Sequence, residues 1–214
     1  MDVIALASRK GGAGKTTLSA HIAVEAERAG ADPVAIIDAD PMSGLSTWWN
    51  KRSAETPSFA KVEGVGFPKV LAALQKEGVR LVVIDTPPAD GNVIAPIIRL
   101  ADLVVVPVVP SPHDIWAIGN TIGVIEDVGV PMVFVINNAG GTKLTSQTVK
   151  QLSQHGTVAM GMCKSRQDYR SSMIDGRVCS EVVPNGKSAS EIADLWAYLQ
   201  TRLEKKEKRR GKAG

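Results

Sequence analysis

Aromatic residues are scarce in this chain: three Phe, two Tyr and four Trp make up 4% of 214 residues. Its core must therefore be built from Ala, Val, Ile and Leu, within an apolar share of 44% that is ordinary for a folded domain. Cysteine is rarer still. Cys163 and Cys179 stand alone, without the spacing of a metal site or a disulfide framework, and read as reduced thiols in a cytoplasmic protein. No apolar run approaches the roughly 18 residues that a membrane-spanning helix needs. The chain enters an apolar stretch at residue 3 with no basic segment or small-residue cleavage site before it, so no secretory signal is expected. Strong net charge is also missing, with 25 Lys and Arg against 22 Asp and Glu for +3. That charge is unevenly placed. Residues 201–214 hold seven basic side chains against Glu204 and Glu207, a local +5, which leaves about −2 for the remainder. Neither an internal repeat nor a linker divides the sequence. One domain is expected over residues 1–204, followed by a basic, flexible tail over 205–214.

What is present alternates. Residues 3–8, 34–38, 80–85, 103–109 and 133–137 are short, almost continuously apolar runs rich in Val and Ile. Strands of this kind lie in a parallel sheet covered on both faces. Longer stretches with helical spacing fall between them, at 16–29, 67–77, 93–101, 115–128 and 146–154. A last one, at 189–204, puts Ile192, Leu195, Trp196, Leu199 and Leu203 on one face. Residues 53–66 read as irregular. The alternation predicts an α/β fold: a doubly wound, mainly parallel sheet flanked by helices, with functional groups at the carboxyl ends of the strands.

The first strand runs into Lys10-Gly11-Gly12-Ala13-Gly14-Lys15-Thr16-Thr17, which opens a helix. Glycines there allow backbone N–H groups to approach phosphate oxygens, and the helix start adds its positive dipole end. Lys15 supplies a charge for the β- and γ-phosphates, the Thr16 hydroxyl suits Mg²⁺, and Thr17 suits the α-phosphate. The segment therefore predicts a P-loop that holds ATP through Gly11, Gly12, Ala13, Gly14, Lys15, Thr16 and Thr17. Asp85 ends the strand Leu81-Val82-Val83-Ile84-Asp85, where a carboxylate reaches Mg²⁺ directly or through water. Asp38 and Asp40 follow the second strand in Asp38-Ala39-Asp40-Pro41.

The usual first glycine of a P-loop is Arg9 here, and Lys10 follows it. Lys-Gly-Gly-x-Gly-Lys-Thr-Thr resembles the deviant Walker A motif of the ParA/MinD family. Asp38 to Pro41 resembles the family's D-x-D-P motif, and Pro107-Val108-Val109-Pro110-Ser111-Pro112-His113-Asp114 its Pro-rich segment. The resemblance implies that Lys10 reaches the phosphates of a second subunit in an ATP-sandwich homodimer. It further implies that Asp40 orients the attacking water, that Asp38 supports the metal shell with Thr16 and Asp85, and that Asn137 or Asn138 meets the adenine. A small ParA-type ATPase is expected to bind DNA non-specifically when dimeric and to be associated with the nucleoid. A ParB-like or adaptor partner would stimulate its slow hydrolysis, so that a plasmid, chromosome or protein cargo is positioned. Candidate DNA contacts are Lys164, Arg166, Arg170, Arg177, Lys205, Lys206, Lys208, Arg209 and Arg210.

Two other readings share the fold. A MinD-like switch would carry an amphipathic C-terminal helix for a membrane surface, but residues 204–214 hold Ala213 as their one apolar group, so no membrane contact is expected. A metabolic enzyme such as dethiobiotin synthetase or a nitrogenase iron protein would need substrate groups, or cysteines at strand ends, that this sequence does not show. Trp48 and Trp49 are adjacent and face different sides of a helix. One is expected in the core and the other is a candidate interface anchor.

Overall fold

A computed structural model describes residues 1–89, 91–140, 143–159 and 163–210, with side chains set aside at 114, 115, 117 and 206–210. Strands β1 (Asp2–Leu6), β2 (Val34–Asp38), β3 (Ser58–Phe59), β4 (Leu81–Asp85), β5 (Leu103–Val108), β6 (Met132–Ala139) and β7 (Thr157–Val158) form a sheet in the order β3-β2-β4-β1-β5-β6-β7, and β8 (Cys163–Lys164) also pairs with β6. Every pairing is parallel, which requires a crossover between successive neighbours. The crossovers carry α1 (Lys15–Arg28), α2 (Gly44–Trp49), α3 (Phe67–Lys76), α4 (Gly91–Ile98), α5 (Pro112–Val128) and α6 (Lys143–Leu152), while α7 (Asp168–Ser171), α8 (Cys179–Val182) and α9 (Lys187–Arg210) follow the last strand.

Side chains of a strand alternate between the two faces of the sheet, so a strand covered on both sides feeds two cores. In β1, Ile4 and Leu6 join the cluster under α1 and α9, whereas Val3 and Ala5 join the one under α4 and α5. Ile192, Leu195, Trp196, Leu199 and Leu203 of α9 are at most 5% exposed, as the spacing predicts. The chain winds from β1 toward β2 on one side and, later, from β4 across to β5 on the other. The strand order therefore reverses beside β1, and its carboxyl end opens the crevice where such sheets bind ligands.

The expected strands and helices are all found, with ends displaced by a few residues. Residues 53–66 are not wholly irregular, since Ser58 and Phe59 pair with Ala35 and Ile36 as an edge strand. The last helix passes the expected end at 204 and runs to Arg210, through residues that are good helix formers and carry a Glu204–Lys208 spacing that favours pairing. The short elements β3, β7, β8, α2, α7 and α8 are too brief to produce a readable period.

Candidate functional site

β1 delivers the chain into the glycine loop, and α1 begins at Lys15. Gly14 stands at the helix start with φ 100°, and a Cβ there would lie 2.1 Å from Asn137 Nδ2. Only glycine meets both conditions. Asn137 Nδ2 donates to the Ala13 carbonyl at 2.8 Å, and Asn137 Oδ1 accepts from the Asn138 N–H at 2.9 Å. Asn137 thus braces the loop from β6, while Asn138, at φ 54°, lines the cleft beside it.

Lys15 is 6% exposed, and its ammonium donates to the Ser8 carbonyl at 3.2 Å. Burial lowers its pKa, opposed by Asp85 and Asp40. The Thr16 hydroxyl donates to Asp85 Oδ2 at 2.6 Å, while Asp85 Oδ1 is buried with no hydrogen-bond partner. Asp38 and Asp85 occupy one rung of the β2–β4 pairing. Burial, first, and then the Asp38 charge push Asp85 up to about 7, against the Thr16 hydrogen bond and Lys15. Both oxygens of Asp38 are engaged. Oδ1 accepts the Asp40 N–H at 3.1 Å, and Oδ2 accepts the N–H and hydroxyl of Ser46, each at 2.8 Å. Asp40 accepts the Met42 N–H at 2.9 Å and faces the cleft.

That cleft encloses about 320 Å³. It is lined by Gly11, Gly12, Gly14, Lys15, Thr16, Thr17 and Asp40, and also by Asn137, Asn138, Lys164, Arg166, Tyr169 and Arg170. The last four of these lie far along the chain from the loop. Lys164, Arg166 and Arg170, read as a surface for DNA, stand at the rim of the cleft because β8 pairs with β6 and brings 163–170 alongside the loop. Arg166 donates from Nε and Nη2 to Glu191 Oε1 at 3.1 and 2.8 Å, and Glu191 Oε2 accepts from Tyr169 Oη and the Lys164 N–H. Arg177 lies elsewhere, exposed and paired with Asp175 at 2.6 Å. Lys205 is exposed, whereas the side chains of Lys206, Lys208, Arg209 and Arg210 lie outside the described residues, as does Asp114 of the Pro-rich segment.

Lys10 does not line the cleft built by its own loop. It borders a small recess with Pro107, Val108 and Ile118, at the α5 side. Of the tryptophan pair, Trp48 is core at 3% exposure, as expected of one of them. Trp49 is half-buried against Phe59 and donates to the Pro57 carbonyl at 2.9 Å. The exposed tryptophan is Trp116 of α5, at 75%. Tyr169 and the cleft-facing role of 164–170 escaped sequence reasoning, since no spacing ties them to a loop so far away in the chain.

A buried ammonium, a glycine loop and a Thr–Asp pair at the end of a parallel strand thus meet beside one cleft. A model of the CobQ/CobB/MinD/ParA nucleotide-binding domain matches residues 4–178. The chain belongs to this family. It is therefore a nucleotide-binding P-loop protein of the ParA/MinD ATPases. It is 28% identical over 200 residues to maintenance of carboxysome distribution protein A of Halothiobacillus neapolitanus, covering 88% of this chain and 91% of that one. The fold matches the Aquifex aeolicus MinC:MinD cell division complex with TM-score 0.75 at 18% identity, over 94% and 96% of the two chains. It also matches a plasmid partition protein from Borrelia burgdorferi bound to AMPPNP, with TM-score 0.73 at 12% identity over 94% and 99%. Among the described residues no helix is long and apolar enough to cross a membrane.

Proposed function

We propose that this chain is a ParA-type positioning ATPase. It binds Mg-ATP, closes into a homodimer, holds DNA non-specifically, and is released when a partner protein accelerates hydrolysis. The observation that carries the reading is the bond from half-buried Thr16 to buried Asp85 beside the loop, with Asp85 Oδ1 unpartnered among the described residues. An orphaned carboxylate oxygen in such a place fits a hard divalent cation, and Mg²⁺ needs few protein ligands because it keeps its waters. Thr16 and Asp85 would hold Mg²⁺, with Asp38 one strand away, and the ion would neutralise charge on the β- and γ-phosphates.

The chain's own groups divide the rest of the work. Loop amides and Lys15 bind the phosphates. Lys15 must leave the Ser8 carbonyl to reach them, a short swing for a flexible side chain. Asp40, held toward the cleft, orients the attacking water. Lys10, outside the cleft of its own loop, serves the nucleotide of the second subunit, where two triphosphates face to face need added cations. Arg166, Tyr169 and Asn138 line the same cleft and receive base and ribose. DNA contact then falls to Arg177 and the basic end of α9, with Lys164 and Arg170 contributing from the rim. Similarity along nearly the full length to a carboxysome distribution protein favours a protein body as cargo over a plasmid.

The test is a salt-titrated DNA-binding assay with ADP, ATP and a non-hydrolysable analogue, run beside light scattering of the same samples. Dimers and DNA retention should appear with ATP or the analogue and weaken steeply with salt. Equal retention of the nucleotide-free protein, or a monomer throughout, would remove the switch.

A further inference from the structure

Beyond the cleft, the Arg52 side chain, just past α2, makes four hydrogen bonds. Its Nη1 and Nη2 donate to the two oxygens of Glu181 at 2.8 and 2.6 Å. Nη1 also donates to the Gly176 carbonyl at 2.9 Å, and Nε to the Thr56 carbonyl at 2.6 Å. The side chain is 3% exposed and lies over the Trp48 ring, with the guanidinium carbon 5.3 Å from its centre. Glu181 Oε2 accepts the Val178 N–H as well, and the Trp48 indole donates to the Arg177 carbonyl at 3.0 Å. Gly176, at φ +82°, sits so close that a Cβ would come within 2.3 Å of the Arg52 backbone nitrogen.

Burying a charged pair is a poor way to gain stability alone, because apolar side chains of the same volume serve as well or better. What a fully bonded guanidinium adds is direction, since its planar fork allows one orientation. Here that direction is imposed on α2. At the other end of the helix, Ser46 gives its N–H and hydroxyl to Asp38 Oδ2, and Asp38 Oδ1 holds the Asp40 N–H. The helix is thus fixed to the 176–181 segment at one end and to the D-x-D-P carboxylates at the other.

We propose that Arg52 is a positioning residue for hydrolysis: its clamp on Glu181 fixes α2, and through Ser46 and Asp38 presets Asp40 toward the water that attacks the γ-phosphate. The inference rests on the role given to Asp40 above. None of these residues belongs to the phosphate loop, so nucleotide affinity is independent of the clamp, while the chemical step depends on it.

The experiment is single-turnover and steady-state ATP hydrolysis by the full chain, with fluorescent-ADP binding and thermal melting measured on the same samples. The variants are Arg52→Lys, Glu181→Gln, Ser46→Ala and the double Arg52→Lys/Ser46→Ala. Arg52→Lys keeps the charge and loses the fork. Its kcat should fall about tenfold, with KM and ADP affinity within about twofold of wild type. The double variant should fall no further than the worse single, because both act on one path. Leu199→Ala, a core change remote from the cleft, should lower the melting temperature and leave kcat intact. Unchanged kcat in folded Arg52→Lys, or multiplicative losses in the double, would overturn the clamp and leave the ATPase reading standing. A wild-type protein that binds ATP without turning it over would instead refute the ATPase reading, and the clamp with it.

Discussion

His21 offers the sharpest physical test of the described packing. It lies on α1 one turn after Thr17, is 0% exposed, and meets Tyr169 edge-on with ring centres 5.4 Å apart. Its Nδ1 is 2.8 Å from the Thr17 carbonyl, so that nitrogen carries the proton and donates, and Nε2 accepts the Cys179 N–H at 3.3 Å. Burial lowers its pKa to about 4 from 6.5, against the Thr17 hydrogen bond and the Glu181 charge. The unfolded chain therefore takes up a proton below pH 6.5 that the native state refuses until about pH 4. Stability is intact above 6.5 and falls through that window, by about 3 kcal/mol at 1.36 kcal/mol per unit. Urea unfolding of wild type and His21→Gln at steps from pH 7 to 4.5 isolates the effect, because the carboxylates common to both cancel in the difference. The variant should start less stable and show a flatter pH dependence. With three histidines in the chain, NMR titration can follow each ring. A native His21 titrating near 6.5, or a difference between the two proteins that does not change with pH, would refute the reasoning.

Four further outcomes follow from the cleft. Lys15→Ala should weaken ATP binding by at least about 10²-fold, from loss of a charge-assisted contact in a shielded site; calorimetry showing unchanged affinity would remove it. Gly14→Ala should cost more than the 1–3 kcal/mol of backbone strain alone, since its methyl would strike Asn137 and break the bond to Ala13; a wild-type melting temperature would contradict that geometry. Asp40→Ala should bind ATP normally, hydrolyse it about 10²-fold more slowly and stay on DNA as a trapped dimer; wild-type release in a filter-binding time course would remove Asp40 from the mechanism. Arg166→Ala should weaken ATP and ADP alike, by roughly tenfold, and leave tripolyphosphate binding unchanged; equal losses for all three would place Arg166 at the phosphates.

How much of this could be read beforehand depended on distance along the chain. The phosphate loop, the D-x-D-P carboxylates and Asp85 are local patterns attached to strands with strong apolar signals, and the structure gathers them at the carboxyl ends of β1, β2 and β4. The α9 face was equally legible, because a 3.6-residue period over several turns leaves little ambiguity. Residues 164–170 were not legible. They reach the cleft through the two-residue strand β8, which is too short to have a period, so a run of basic side chains there read as open surface. The bond from Asn137 to Ala13 was not legible either, since a strand end fixes where a side chain starts and not what it bonds. Arg52 and Glu181 escaped notice because two charged residues 129 positions apart carry no spacing rule at all.

The cleft draws one wall from residues 11–17 and another from residues 164–170. During synthesis the first wall leaves the ribosome long before the second, so a growing chain displays a half-built receptor that cannot yet grip its guest. The cleft is complete only once the later segment has paired beside β6, so any guest that touches both walls favours the finished chain over the partial one.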